Sequence, residues 1–84
     1  MTICNKLGLH ARAAAKFVET SKRYAAEIKV ENKFASANGK SIMNVMLLQA
    51  TIGSDILIRA EGEDADEAIG ALVELVLNRF GEDE

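Results

Sequence analysis

The apolar positions of the 84-residue chain change period several times along its length. Ala14, Phe17, Val18 and Ser21 fall at i, i+3, i+4 and i+7, with Arg12, Lys16, Glu19 and Arg23 on the other side. That spacing predicts a helix over residues 11 to 23 with one small, mostly apolar face. Ala26, Ile28 and Val30 then alternate with Glu27, Lys29 and Glu31, the period of a half-buried strand. Asn32-Lys33 predicts a tight turn, and residues 34 to 38 return as a short second strand of the hairpin. Ser41 is a good N-cap for a short helix over roughly 42 to 49, with Val45 and Leu48 as its core positions. Ile56, Ile58 and Ala60 alternate with Asp55, Leu57 and Arg59 as a further strand. Asp64-Ala65-Asp66-Glu67 has the spacing of a capping box, with Asp in the Ser/Thr place. It opens a last helix to about Phe80, whose buried stripe is Ala65, Ala68, Ile69, Leu72, Val73 and Val76, with Gly81 placed to end it. Thr2-Ile3-Cys4 reads as a short first strand, longer if the native start lies upstream of Met1.

The predicted order is therefore β-α-β-β-α-β-α. Strands with one polar face suit an antiparallel sheet, whose apolar face the helices must cover. The expectation is an α+β open-faced β-sandwich, a four-stranded antiparallel sheet covered on one face by three helices. A chain of this length suits a single domain over 1–84. No linker, repeat or low-complexity segment interrupts it.

Composition narrows the class. One cysteine, Cys4, excludes an internal disulfide framework and suits a reducing compartment. No apolar run approaches the ~20 residues of a membrane helix, and the N-terminus lacks a signal-peptide pattern. A cytoplasmic domain is expected, with no membrane insertion. Net charge is −3 but uneven: residues 1 to 60 hold nine Lys/Arg and four Asp/Glu, whereas residues 61 to 84 hold one Arg and nine Asp/Glu. The basic part suits an anionic ligand or an acidic partner protein. Its scattered cations, without an aromatic platform, do not suit nucleic acid. The closing Glu82-Asp83-Glu84 reads as a frayed, solvated tail.

The single histidine, His10, stands where Asn5-Lys6-Leu7-Gly8 runs into the first helix. Histidine is not a preferred N-cap, so capping does not account for it. Gly8 frees the backbone just before it. Ala11, Arg12 and Ala13 would present backbone N–H groups at the positive end of the helix. An imidazole there, with Arg12 adjacent, sits beside an anion-binding site. A histidine that merely precedes a helix is the plain alternative. Metal binding is poorly served, because one His and one Cys make no ligand pair at zinc spacing, and no cofactor is implied. A Cys4–His10 nucleophile pair is disfavoured, since Cys4 lies in an apolar strand pattern facing the core. Asn38-Gly39-Lys40-Ser41 ends like a P-loop, but Phe34 stands where that motif needs glycine. Ser41 can both cap its helix and accept a phosphate there. Ile42, Met43 and Met46 read either as core or as an adaptable apolar docking patch.

Gly8-Leu9-His10-Ala11-Arg12, followed by a small-residue helix, resembles the active-site signature of the HPr family, the histidine phosphocarriers of the bacterial phosphotransferase system. Asn38 to Met43, continuing Val45-Met46, resembles the regulatory-serine segment of that family, and the likeness extends over essentially the whole chain. The resemblance implies a carrier, not an enzyme. His10 would be phosphorylated on Nδ1, Arg12 would assist at the phosphate, and the backbone of Ala11, Arg12 and Ala13 would bind it. Ser41 would be the site of a dedicated HPr kinase/phosphorylase. Ala15, Lys40, Ile42, Met43 and Met46 would form the docking surface. The phosphoryl group would come from phosphoenolpyruvate through Enzyme I and pass to an EIIA domain, carried by a monomer. The chain departs from the family in having Ala13 after Arg12, where Pro is common. Sugar-transport and nitrogen-related branches both fit. The alternative function is a regulatory interaction module that acts through Ser41 and the Ile42/Met46 patch, with His10 idle.

Overall fold

A computed structural model describes residues 1–82. The elements run α1 (Ala11–Ser21), β1 (Glu27–Glu31), β2 (Ser36–Asn38), α2 (Ile42–Leu47), β3 (Leu57–Glu61) and α3 (Ala65–Leu77), followed by a 3-10 turn at Arg79–Gly81. The antiparallel sheet has the order β2-β1-β3. Opposite residues share a face. Ile28 with Ala60 and Val30 with Ile58 look towards the helices, while Lys29 with Arg59 and Glu27 with Glu61 look away. On that outer face Arg59 Nε donates to Glu31. Phe17, Val30, Val45, Leu72, Val76 and Phe80 are all buried in one continuous core. Among the described residues no helix is long and apolar enough to cross a membrane.

The sheet has three strands where four are expected, and Met1–Cys4 accounts for the difference. Thr2 opposes Asp55 in an isolated bridge. Ile56 and Met1 exchange backbone bonds at 2.7 and 2.9 Å, and Ile3 does so with Ser54 and Gly53 at 2.9 and 2.8 Å. The pairing is thus antiparallel, but both chains turn away at once, at Asn5 on one side and Ile52-Gly53 on the other. A ladder needs a longer run than that turn-bounded stretch allows.

Other boundaries move for local reasons. The stripe Ala14, Phe17, Val18, Ser21 is buried as expected, and α1 ends at Ser21. β2 begins at Ser36 because Asn32 Oδ1 accepts the N–H groups of Phe34 and Ala35, holding those residues in the turn. α2 stops at Leu47, and Gln49 takes a left-handed φ of 50°. Of the α3 stripe, Ala68, Leu72 and Val76 are buried and Ala65, Ile69 and Val73 are half-buried. Cys4 is half-buried, its thiol directed at the Val76 carbonyl at the end of α3 (3.1 Å).

Asp64 does not close a capping box. Its side chain makes no cap bond to α3. Instead Oδ2 accepts from Ala25 N and Oδ1 from Ala26 N, both at 2.8 Å, tying the start of α3 to the entry of β1. The Ala25 bond is the largest influence on its pKa; partial burial works the other way, and Ala26, its own N–H and Lys40 help to hold the carboxyl below its ordinary 3.8. A depressed carboxylate stabilises the fold above its unfolded pKa, and this contribution is lost as pH falls through the folded value. Asp64→Asn is therefore expected to lower the denaturation midpoint at pH 7, with a smaller deficit against wild type at a pH well below the carboxyl's ordinary 3.8. Urea titrations at the two pH values check this; an equal deficit at both would rule out the carboxylate clamp.

Candidate functional site

The turn before His10 is set by close packing. Gly8 has φ +65°, and a Cβ there would stand 2.3 Å from the Ala50 carbonyl oxygen. Leu9 is buried, and its N–H donates to that same carbonyl at 2.8 Å. Glycine is needed both for the left-handed backbone and for the approach. The chain then enters α1 with His10 at the N-cap position, extended (φ −74°, ψ 178°), its ring making no cap bond. Ala14 N–H is taken by the His10 carbonyl at 2.8 Å. The N–H groups of Ala11, Arg12 and Ala13 thus precede the first intrahelical bond and stand at the positive end of the helix. Ala11 and Arg12 are exposed, whereas the Ala13 side chain lies in the core.

The largest departure from expectation is at Glu82. It is not solvated: its carboxylate lies on His10, with Oε2 against Nε2, and its side chain is 12% exposed. The rest of that tail, Asp83-Glu84, lies outside the described residues. Oε1 accepts from Asn5 Nδ2 at 2.8 Å, and the same amide nitrogen donates to the Gly8 carbonyl at 2.8 Å. Two oxygens against one end of the amide determine its orientation, since the flipped form would oppose oxygen to oxygen. Burial works to raise the Glu82 pKa. The bonds from Asn5 and His10 and the charges of His10 and Arg12 outweigh it, leaving the carboxyl below its ordinary 4.5.

Glu82 reaches His10 because the chain folds back after α3. Phe80 is buried, and both Arg79 and Phe80 take left-handed backbone at φ 55°. Lys16 on α1 donates to the Phe80 carbonyl at 2.7 Å. Gly81 has φ +77°, and a Cβ there would meet the Lys16 ammonium at 2.9 Å. The result is an open groove at the mouth of α1, in which His10 and Glu82 share the walls with Lys6, Arg12 and Lys16. His10 itself is 29% exposed. Such an arrangement leaves the ring partly exposed, beside the backbone donors of the helix end and cations that suit an incoming anion.

The second predicted constellation is distinct. Ser41 caps α2, its Oγ accepting from Asn44 N at 3.4 Å and from Asn44 Nδ2 at 3.1 Å. Val45 and Leu48 enter the core, as expected. Ile42, Met43 and Met46 are exposed on the opposite side, and Leu47, which periodicity did not single out, joins them. Lys40 turns inward to donate to the Tyr24 carbonyl at 2.6 Å, and Ala15 is half-buried on α1. Asn5, Lys16 and Glu82 were not foreseen as site residues. A signal existed only for Asn5, as the polar residue opening a turn that ends in glycine.

The profile of the PTS HPr component phosphorylation site matches residues 1–78. Phosphocarrier protein HPr of Pseudomonas aeruginosa is 54% identical, across 100% of this chain and 94% of its own. Phosphocarrier protein NPr of Shewanella violacea is 39% identical, across 98% of this chain and 90% of its own. The crystal structure of HPr-C-His from Thermoanaerobacter tengcongensis superposes with a TM-score of 0.95 at 45% identity, covering 100% of this chain and 94% of that one. With the family profile matched over nearly the whole length, a relative more than half identical and a shared fold, this chain belongs to the HPr family, phosphocarriers of the phosphotransferase system and not catalysts.

Proposed function

We propose that His10 is the phosphoryl acceptor, taking the group on Nδ1 from phospho-Enzyme I, charged by phosphoenolpyruvate, and passing it to an EIIA domain in the cytoplasm. The observation that carries this reading is the placement of the only histidine at the open N-terminal end of α1 beside Arg12. Nε2 is engaged by Glu82, which leaves Nδ1 as the nucleophilic nitrogen. Phosphoryl transfer through a loose transition state needs positioning and charge stabilisation more than protein functional groups. The helix end supplies both, and Arg12 adds a cation. A partly exposed ring suits a carrier whose donor and acceptor enzymes complete the site in turn. The basic residues about the groove steer acidic partner faces.

Ser41 is proposed as a regulatory phosphorylation site for an HPr kinase/phosphorylase, since added negative charge is tolerated at a helix N-terminus. Ile42, Met43 and Met46 are proposed as the docking patch, with Leu47 beside them; exposed methionines make an adaptable contact surface.

The test is to incubate the protein with phosphoenolpyruvate and a cognate Enzyme I and to record its intact mass before and after mild acid. One acid-labile phosphoryl increment is expected. No increment with a competent Enzyme I would reject the carrier reading and turn attention to Ser41.

A further inference from the structure

We propose that Glu82 is a positioning residue for His10, one that holds Nε2–H and neutralises the charge the ring acquires when a phosphoryl group sits on Nδ1. The proposal rests on the phosphocarrier reading above and extends it. Its ground is geometric. One carboxylate oxygen meets Nε2, and the other is held by a buried amide, Asn5, that also ties down the turn carrying His10. The carboxylate is delivered by a buried anchor, Phe80, pinned through its carbonyl by Lys16.

The chemistry follows from proton and electron counting. The form of the ring that reacts is the neutral tautomer with its proton on Nε2, facing Glu82, and a lone pair on Nδ1. That lone pair forms the N–P bond while the bond from phosphorus to the donor breaks, its electron pair leaving with the donor. No proton moves, so the phosphorylated ring keeps Nε2–H and becomes a cation. Glu82 then faces a full positive charge. In the return step the N–P bond breaks, its pair goes back to Nδ1, and a nucleophile of the acceptor bonds phosphorus. The cationic ring is the better leaving group, and the carboxylate that favours it keeps the phosphoryl group transferable. Among the described residues, the other charged groups about this pair are Arg12 and Lys16 on α1 and Lys6 on the preceding loop, all cations. They favour the phosphate and oppose a cationic ring, an opposition that the Glu82 carboxylate offsets.

Two variants separate this role from a structural one. Glu82→Gln keeps the shape without the charge, and Glu82→Ala removes both; neither touches the core. The phosphorylated proteins are followed for phosphohistidine hydrolysis across pH. An opposed charge at this range shifts a titration by about one unit or more. The midpoint of the acid-labile limb is therefore expected to move about one unit to lower pH in both variants, which makes hydrolysis at neutral pH about tenfold slower, with the acid plateau unchanged. In the unphosphorylated wild type, nitrogen NMR is expected to show a slowly exchanging Nε2–H of His10 that disappears in Glu82→Ala. Profiles superimposable on wild type, a Gln variant indistinguishable from it, or a wild type without the protected Nε2–H would overturn the proposal. A wild type that takes no phosphoryl group at all would overturn the carrier reading and this proposal with it.

Discussion

Replacing His10 by alanine is expected to abolish the acid-labile phosphoryl increment while leaving the fold intact. The chain has no second histidine to accept the group. Serine and carboxylate phosphates are told apart by their different stability to acid, base and hydroxylamine. The structural cost is small for a stated reason: the ring makes no cap bond to α1 and is partly exposed, so neither a helix donor nor core volume is lost. Glu82 keeps its bond from Asn5 and its attraction to Arg12. The change in unfolding free energy is expected to be about 1–2 kcal/mol, the cost of leaving the largely buried Glu82 carboxylate without its ring partner. Intact mass and urea denaturation measured on the same preparation decide the matter. An increment that persists in the variant would move the acceptor elsewhere, and a collapse in stability would show that the ring serves the fold.

Phe80→Ala carries the largest expected loss of stability and couples it to the site. The ring is completely buried in the core that also holds Phe17, Leu72 and Val76. Truncating a buried Phe typically costs about 3–5 kcal/mol, counting both the transfer of apolar surface and the cavity left behind. Against a total stability of about 5–15 kcal/mol this is a large share. The left-handed backbone at Arg79 and Phe80 adds to the case. Each such residue stores about 1–3 kcal/mol of strain and persists only while its surroundings hold it there. Without the ring the segment is free to relax, and Glu82 leaves His10. The variant should therefore show a lower urea midpoint at an unchanged slope, together with the slowed neutral hydrolysis expected of Glu82→Ala. A loss below about 1 kcal/mol would mean that the turn is held by Lys16 and its backbone bonds, not by Phe80.

These expectations draw on two kinds of information. The periods of Phe17 and Val18, of Ile28 and Val30, and of Leu72 and Val76 announce helix, strand and helix from the chain alone. An apolar stripe at those spacings has no other way to leave water. The local geometry of the candidate site is legible for a related reason. His10, Arg12 and the N–H groups between them are neighbours along the chain, and a helix N-terminus is a local structure. Ser41 as a cap follows from the same short-range geometry, whereas Ile42, Met43 and Met46 read equally well as core or surface, and only the folded chain shows them exposed. The element boundaries are less legible, because side-chain bonds such as those of Asn32 to Phe34 and Ala35 decide them.

Contacts between residues far apart in the chain were out of reach. Asp64 matches a capping box in spacing, yet it binds Ala25 and Ala26, because the packing of α3 on the sheet brings that loop within its range. The first strand fails as a ladder because its partner turns at Gly53. Glu82 reads as one more acid in a solvated tail. It becomes the partner of His10 because burying Phe80 folds the chain end back over the mouth of α1, 72 residues from where it acts. Local pattern reports which surfaces must be buried and which atoms stand at a helix end. Which distant groups meet there depends on how the buried surfaces close on one another.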